Sequence, residues 1–344
     1  MNSLSSRVTA ALLSLLFACA SLAPGVRAAG PGENADDPAA RLLVPVGHTV
    51  GVKLFADGVL VVSLSDGDTP ARAGGLREGD IMVTFNGADI TSTEQFQQLL
   101  AENGGAEAAV GVRRGTRTLT LPVTPRDDGG VRLGAWIRDS MAGIGTVTFY
   151  DPASGVFGAL GHGVSDVDTG KLMPLESGSI MNAEVKAVKR GESGAPGELR
   201  GEFDLSHDSG TLYANTDCGL FGMLDDAGVS WAAGQGVPAL GRDEVETGPV
   251  VLLVNCAGDA VREYAAEIER IYPGASPTRN LLLRVTDPAL LAETGGIVQG
   301  MSGAPILQNG KLVGAVTHVL VNDPTRGYGI FIENMLDAAG LAEN

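Results

Sequence analysis

The chain has 344 residues, with 24 Lys and Arg against 41 Asp and Glu and a formal net charge of −17. A domain takes roughly 100–200 residues, so this length predicts two, and a hydrophobic share of 44% supplies a core for each and excludes general disorder. The charge excludes a nucleic-acid partner, whose phosphates would be repelled, and 49 glycines beside 5% aromatics point to short strands joined by tight turns.

Arg7 precedes an apolar run that stops at Pro24-Gly25. The run is about 16 residues long, short of the ~20 that a membrane span takes, and suits a secretory h-region. Val26-Arg27-Ala28 offers a small-residue cleavage site, whereas Leu16-Phe17-Ala18-Cys19 is a poor lipoprotein site because Phe17 is bulky. Residues 1–29 therefore read as a signal peptide or an uncleaved anchor, and the chain as exported across the cytoplasmic membrane. Residues 30–41 are acidic and rich in Gly and Pro, as a linker would be.

Residues 42–126 form the first predicted domain. Val50–Leu54 and Val59–Leu64 read as strands, Thr69–Leu76 as a short helical turn, and Gly79–Gly87 as a strand closed by an Asn-Gly turn. Ser92–Asn103 carries a helical apolar face, a Ser cap and a Gly-Gly stop. Val110–Val112 and Thr118–Val123 make a hairpin. The series PARAGGLREGDIMVTFNG followed by STEQFQQLL resembles a PDZ domain of the type attached to bacterial proteases. That resemblance implies a groove that takes an extended peptide tail as an added strand. Its carboxylate-binding turn would lie at Val50, Gly51 and Val52. His48 reads as a surface residue of this unit.

From 127 to 344 the pattern is β-rich, with strands predicted at Thr146–Tyr150, Val250–Val254, Leu281–Val285 and Leu312–Val316 and dense turn signals between them. Helical periodicity is confined to Ala260–Ile271 and Glu333–Ala339. Short strands with Gly/Pro turns indicate a barrel or sandwich. Cys218 and Cys256 either pair or remain buried thiols. No Cys/His cluster has zinc spacing, so neither a metal nor a cofactor is expected.

Gly300-Met301-Ser302-Gly303-Ala304-Pro305 is the sharpest chemical signal. Glycines on either side of Met301-Ser302 allow a tight turn that presents the hydroxyl and aims the N–H groups of Gly300 and Ser302 at one point, as an oxyanion hole requires. A serine needs a base. Four histidines are present: His48, His162, His207 and His318. His162 lies between two glycines, which leave room for a substrate. His318 follows the strand after Ser302 and competes with it. His207 sits in a polar, solvated stretch.

With FGALGHGVSDVDTG, KRGESGAPGELRGEF and the long block from Thr294 to Leu336, the chain resembles the SpoIVB-type serine peptidases of endospore-forming bacteria. The resemblance implies a chymotrypsin-like double β-barrel after the PDZ domain, with Ser302 as nucleophile, His162 as base and Asp287 as third triad member. Asp287 also stands where a helix cap would, before Pro288, and Asp166, Asp204 and Asp217 are rival orienters. The family role implies cleavage of the chain's own N-terminal region and of a membrane-anchored regulator of an intramembrane protease during sporulation. A silent PDZ scaffold and a general quality-control protease are the alternatives.

Overall fold

The structure is a computed structural model and describes residues 41–127, 129–274 and 276–341. The expected signal or anchor and most of the linker lie outside these residues.

Two six-stranded antiparallel rings account for most of the fold. In the first, Thr49–Leu64 pairs with Ala135–Tyr150, followed in order by Val156–Ala159, Gly219–Leu224, Gly210–Thr216 and Ser177–Lys189, which pairs back onto Thr49–Leu64. Val50, Val52, Leu54, Phe157, Ile180 and Leu220 fill it. The second closes in the order Gly248–Val254, Arg262–Ile271, Leu281–Val285, Asp323–Phe331, Lys311–Leu320 and Pro305–Gln308. Leu252, Ile268, Leu283, Ile306 and Val313 form its centre.

Arg262–Ile271 corrects the helix expected at Ala260–Ile271. Tyr264, Ala266 and Ile268 are buried in alternation with Glu263, Ala265 and Glu267, the period of a strand packed on one face. Many of these residues also suit helices, but pairing with strands on both sides overrides that preference. Cys218 and Cys256 are both free thiols, and Cys256 Sγ lies 3.2 Å from the Tyr264 hydroxyl.

The PDZ-like unit is inserted into the first barrel. Its sheet contains Val59–Leu64, Ile81–Phe85, Ala108–Arg114 and Arg117–Val123, and its core lies under helices Pro70–Ala73 and Thr93–Asn103. Asn86 and Gly87 both take positive φ, 51° and 84°, as the predicted Asn-Gly turn requires. Ser92 caps the longer helix by accepting from the Gln95 N–H, and Gly104 ends it at φ 61°.

The two expected strands Val50–Leu54 and Val59–Leu64 are one continuous strand with an irregularity between Phe55 and Leu60. Thr49–Phe55 lies in the barrel and Leu60–Leu64 in the PDZ-like sheet. Ala135–Tyr150 runs beside it through both units. The barrel thus begins before the insertion, not at residue 127, and residues 42–56 belong with it. His48 is buried rather than exposed: its ring stacks on Trp231 at 4.4 Å, and Nε2 lies 2.8 Å from Asn182 Oδ1.

Candidate active site

Ser302 and His162 face one cleft of about 720 Å³ between the two barrels. His318 shares it, with its ring centroid 5.2 Å from that of His162. The remaining walls are largely apolar, including Leu54, Met141, Ile144, Leu160 and Ile297. Asp217 is the one acidic side chain among the described lining residues.

Both chemical side chains sit on turns that contain glycines at positive φ. Gly300 and Gly303 take φ of +97°. A Cβ on Gly303 would fall 2.0 Å from the Thr146 carbonyl oxygen, so the loop presses against first-barrel backbone. Met301 N–H donates to Val298 O and Ala304 N–H to Met301 O, which close the loop. The N–H groups of Gly300 and Ser302 donate to no acceptor among the described residues, which leaves the two expected oxyanion donors available. Ser302 Oγ donates to Thr317 O at 2.9 Å and is half-buried.

Three contacts from one strand hold this loop. Thr146 N–H donates to Ser302 O at 3.0 Å, Thr146 Oγ1 to Gly300 O at 2.8 Å and Thr148 Oγ1 to Gly303 O at 2.8 Å. Both threonines are buried, so these hydroxyls have exchanged water for the carbonyls of the loop. They are site residues that the motif alone does not reveal. The trace in the sequence is a pair of hydroxyls, two apart, in the otherwise apolar segment Ile144–Phe149.

His162 follows Leu160 and Gly161, which take positive φ of 68° and 66°. Its flanking glycines are needed for packing, and Gly163 also lines the cleft. A Cβ on Gly161 would meet Ile330 and Thr317 side chains at 2.9 and 3.0 Å, and one on Gly163 would meet Thr216 O at 2.5 Å. His162 Nδ1 lies 2.9 Å from Gly163 O. A carbonyl only accepts, so Nδ1 carries the proton and Nε2 keeps its lone pair as a base. Burial lowers the His162 pKa, opposed by that backbone bond. Burial, with His162 and Arg279 nearby, lowers the His318 pKa to about 4, so both imidazoles are neutral at physiological pH.

Asp287 is not brought to His162. Its carboxylate accepts from Ala265 N–H at 3.2 Å and from Ala289 and Leu290 N–H at 2.9 and 3.2 Å, capping the helix Pro288–Thr294. Those bonds hold its pKa down: the Ala265 bond is the largest cause, burial opposes it, and the two helix bonds add to it. The cap reading describes the bonds this residue makes, and none of them reaches His162 among the described residues. Among the rivals, Asp166 is buried against Arg138 and Thr169, and Asp204 turns onto Ser206 in an exposed loop. Asp217 reaches the cleft wall, but among the described residues the hydrogen-bond partner of His162 is the Gly163 carbonyl. His207 is exposed beside Ser206, as its polar surroundings predict.

Val50, Gly51 and Val52 cannot form a carboxylate-binding turn. Val50 pairs with Asn182 on one side and Gly145 on the other, Gly51 with Met181 and Ile144, and Val52 with Ile180 and Gly143. Both edges of that stretch belong to the barrel, and Val50 and Val52 are core residues.

Comparison with known proteins agrees with this architecture. A family model described as SpoIVB peptidase S55 matches residues 129–336, more than half of the chain, and a PDZ domain model matches residues 61–114. Serine protease HTRA1 of Xenopus laevis is 33% identical over 60 residues, and that of Xenopus tropicalis 35% over 60 residues. The matched segment spans 17% of this chain and only 13% of each of those relatives. Among solved structures, the PDZ domain of an SdrC-like protein from Listeria monocytogenes aligns at 21% identity and a TM-score of 0.22, covering 24% of this chain and 87% of its own. The active form of the Rv3671c protease from M. tuberculosis aligns at 17% identity and a TM-score of 0.32, covering 60% of this chain and 77% of its own. The extent of the first match decides the matter: the chain belongs to the SpoIVB peptidase S55 family.

Proposed function

We propose that the protein is an exported serine endopeptidase in which Ser302 and His162 work as a dyad oriented by backbone. The observation that carries this reading is the convergence of a Gly-flanked serine, free N–H groups on Gly300 and Ser302, and a neutral imidazole in one cleft. Ser302 Oγ turns from Thr317 O toward His162, whose Nε2 takes its proton as Oγ attacks the scissile carbonyl. The N–H groups of Gly300 and Ser302 take up the charge that forms on the carbonyl oxygen. His162 then gives the proton to the departing amine, and water repeats the sequence on the acyl-enzyme. The Gly163 carbonyl fixes the His162 tautomer, which is the orienting task an aspartate performs in a triad.

The family supports a finer role: cleavage of the chain's own N-terminal region, with residues 30–41 the natural segment, and of a membrane-anchored regulator of an intramembrane protease during sporulation. The PDZ domain supports selection of partners by peptide tail. Purified wild type and Ser302→Ala, incubated alone and with such a regulator, test both levels. Loss of all processing in Ser302→Ala is expected. Equal processing by the two proteins contradicts the chemistry, and active wild type that spares the regulator contradicts the role.

A further inference from the structure

The residues after His162 form a narrow antiparallel loop that joins the first barrel to the PDZ-like unit. Met173 N–H donates to Val164 O at 2.9 Å, Ser165 bridges Leu172, and Asp166 N–H donates to Lys171 O at 2.9 Å. The first barrel holds the base of this loop. Asn215 Oδ1 accepts from Val164 N–H at 2.9 Å, and Asn215 Nδ2 donates to Val164 O and Met173 O at 2.9 and 2.8 Å. Val164, Ser165 and Leu172 line the cleft beside His162. The PDZ-like unit touches the same loop. Lys171 Nζ donates to Gly79 O at 3.3 Å, and Met173 packs with Ala56 and Leu60, flanked by Ile81 and Met141.

A buried ion pair fixes the far turn of the loop. Arg138 lies on Ala135–Tyr150 opposite Leu60, where that strand enters the PDZ-like sheet. Its guanidinium donates to one oxygen of Asp166, whose side chain is fully buried. The other oxygen accepts from the N–H groups of Asp168 and Thr169 at 3.1 and 2.9 Å and from the Thr169 hydroxyl at 3.1 Å. Burial opposes ionisation of Asp166, but the Thr169 bonds, the Arg138 charge and the Asp168 N–H together hold its pKa below the ordinary value. A buried carboxylate stripped of its cation is strongly unfavourable, so the turn stays where Arg138 is. Asp168 also reaches Arg138, at 3.3 Å, but its carboxylate is half exposed and water screens that pair.

Packing leads from this turn to the base. A Cβ on Gly163 would fall 2.2 Å from Leu172 Cδ1, so Leu172 lies against the residue whose carbonyl holds His162 Nδ1. Leu172 directly follows Lys171, whose carbonyl is bonded to Asp166. We propose that Arg138 is a positioning residue for the reaction: through Asp166 it sets the loop that presses Leu172 onto Gly163, and so orients His162. The proposal rests on His162 as the base for Ser302 and adds what holds that base in place. The PDZ-like unit is then part of the catalytic scaffold, and its strand is needed even for a reactant that never touches a peptide groove.

The test therefore uses a small fluorophosphonate, which bonds to an activated serine hydroxyl and needs no contact with the PDZ-like unit. Full-length Arg138→Gln and Asp166→Asn are compared with wild type well below their melting temperatures, with folding checked by circular dichroism. Each removes the ion pair at similar side-chain size. Each should lower the maximal labelling rate of Ser302 about tenfold and leave the half-saturating probe concentration little changed. The double variant should lose no more than either single one, because both act through one contact. Arg138→Lys should recover most of the rate, and Asp168→Asn should label as wild type does. If Arg138→Gln does not fold, Asp166→Asn, which keeps an oxygen for the bonds of the turn, decides on the same terms. Wild-type labelling rates in the folded variants overturn the proposal, and so does an equal loss in Asp168→Asn. Wild-type labelling that survives His162→Ala overturns the dyad reading and this proposal with it. His162-dependent labelling that Arg138→Gln and Asp166→Asn leave unchanged overturns this proposal alone.

Discussion

The Thr146 hydroxyl, on the first barrel, donates to the carbonyl of Gly300, on the second, across 2.8 Å. This bond and the Thr146 N–H to Ser302 O bond hold the peptide units around Met301-Ser302. The direction of the Gly300 and Ser302 N–H groups therefore depends on a residue from the other barrel. Thr146→Val removes the hydroxyl at nearly constant volume and leaves Gly300 O without its partner. Since direct loss of an oxyanion donor costs about 10²–10³ in rate, this indirect loss should lower kcat about tenfold to a hundredfold. KM should change little and Thr146→Ser should recover most of the rate. A fall in KM-dependent binding with kcat intact would mean that Thr146 does not position the hole.

Asp287 offers a different prediction, because its carboxylate caps a helix. Asp287→Ala should cost about 1 kcal/mol of stability while the folded protein keeps its turnover. The folded-state pKa is depressed, so the stabilising contribution is present above the ordinary value near 3.9 and is lost as pH falls through the lower folded value. The gap in melting temperature between wild type and Asp287→Ala should be full at pH 6 and shrink below about pH 4. Loss of turnover in a fully folded Asp287→Ala at pH 7 would return this residue to the triad.

The pH-rate profile follows from His162. The base must be neutral to accept the Ser302 proton, and burial lowers its pKa below the ordinary imidazole value of 6.5. The acid limb of kcat/KM should therefore have its midpoint below 6.5, with full activity retained through slightly acid pH. A midpoint above that value would indicate a carboxylate paired with the imidazole, as in a triad.

Gly303 is predicted to be intolerant of any side chain. It combines φ +97° with a Cβ position 2.0 Å from Thr146 O, against backbone that cannot swing aside. Gly303→Ala should lower the melting temperature and abolish activity together. Gly310, with open space around its Cβ position, is a control. Gly310→Ala meets only the cost of its φ of +78°, and activity should persist.

The hairpins, the Ser92-capped helix and the Ser302 turn were legible in the sequence because each is fixed locally by glycines, caps and alternation. Long-range pairing hid the rest. Val50-Gly51-Val52 has the look of a binding turn, yet both of its edges are taken by strands from residues 143–145 and 180–182. Helix-favouring residues within Ala260–Ile271 concealed a period of two that barrel neighbours impose. Thr146 and Thr148 join the site only when the two barrels meet. A backbone carbonyl in the orienting place leaves no side-chain signature at all.

Covalent labelling with a fluorophosphonate, which reacts with an activated serine hydroxyl, tests the dyad most directly. The adduct should be found on Ser302 by peptide mass spectrometry and should vanish in His162→Ala, while Asp287→Ala labels at close to the wild-type rate. An adduct on another residue, or labelling of Ser302 that does not depend on His162, would contradict the account.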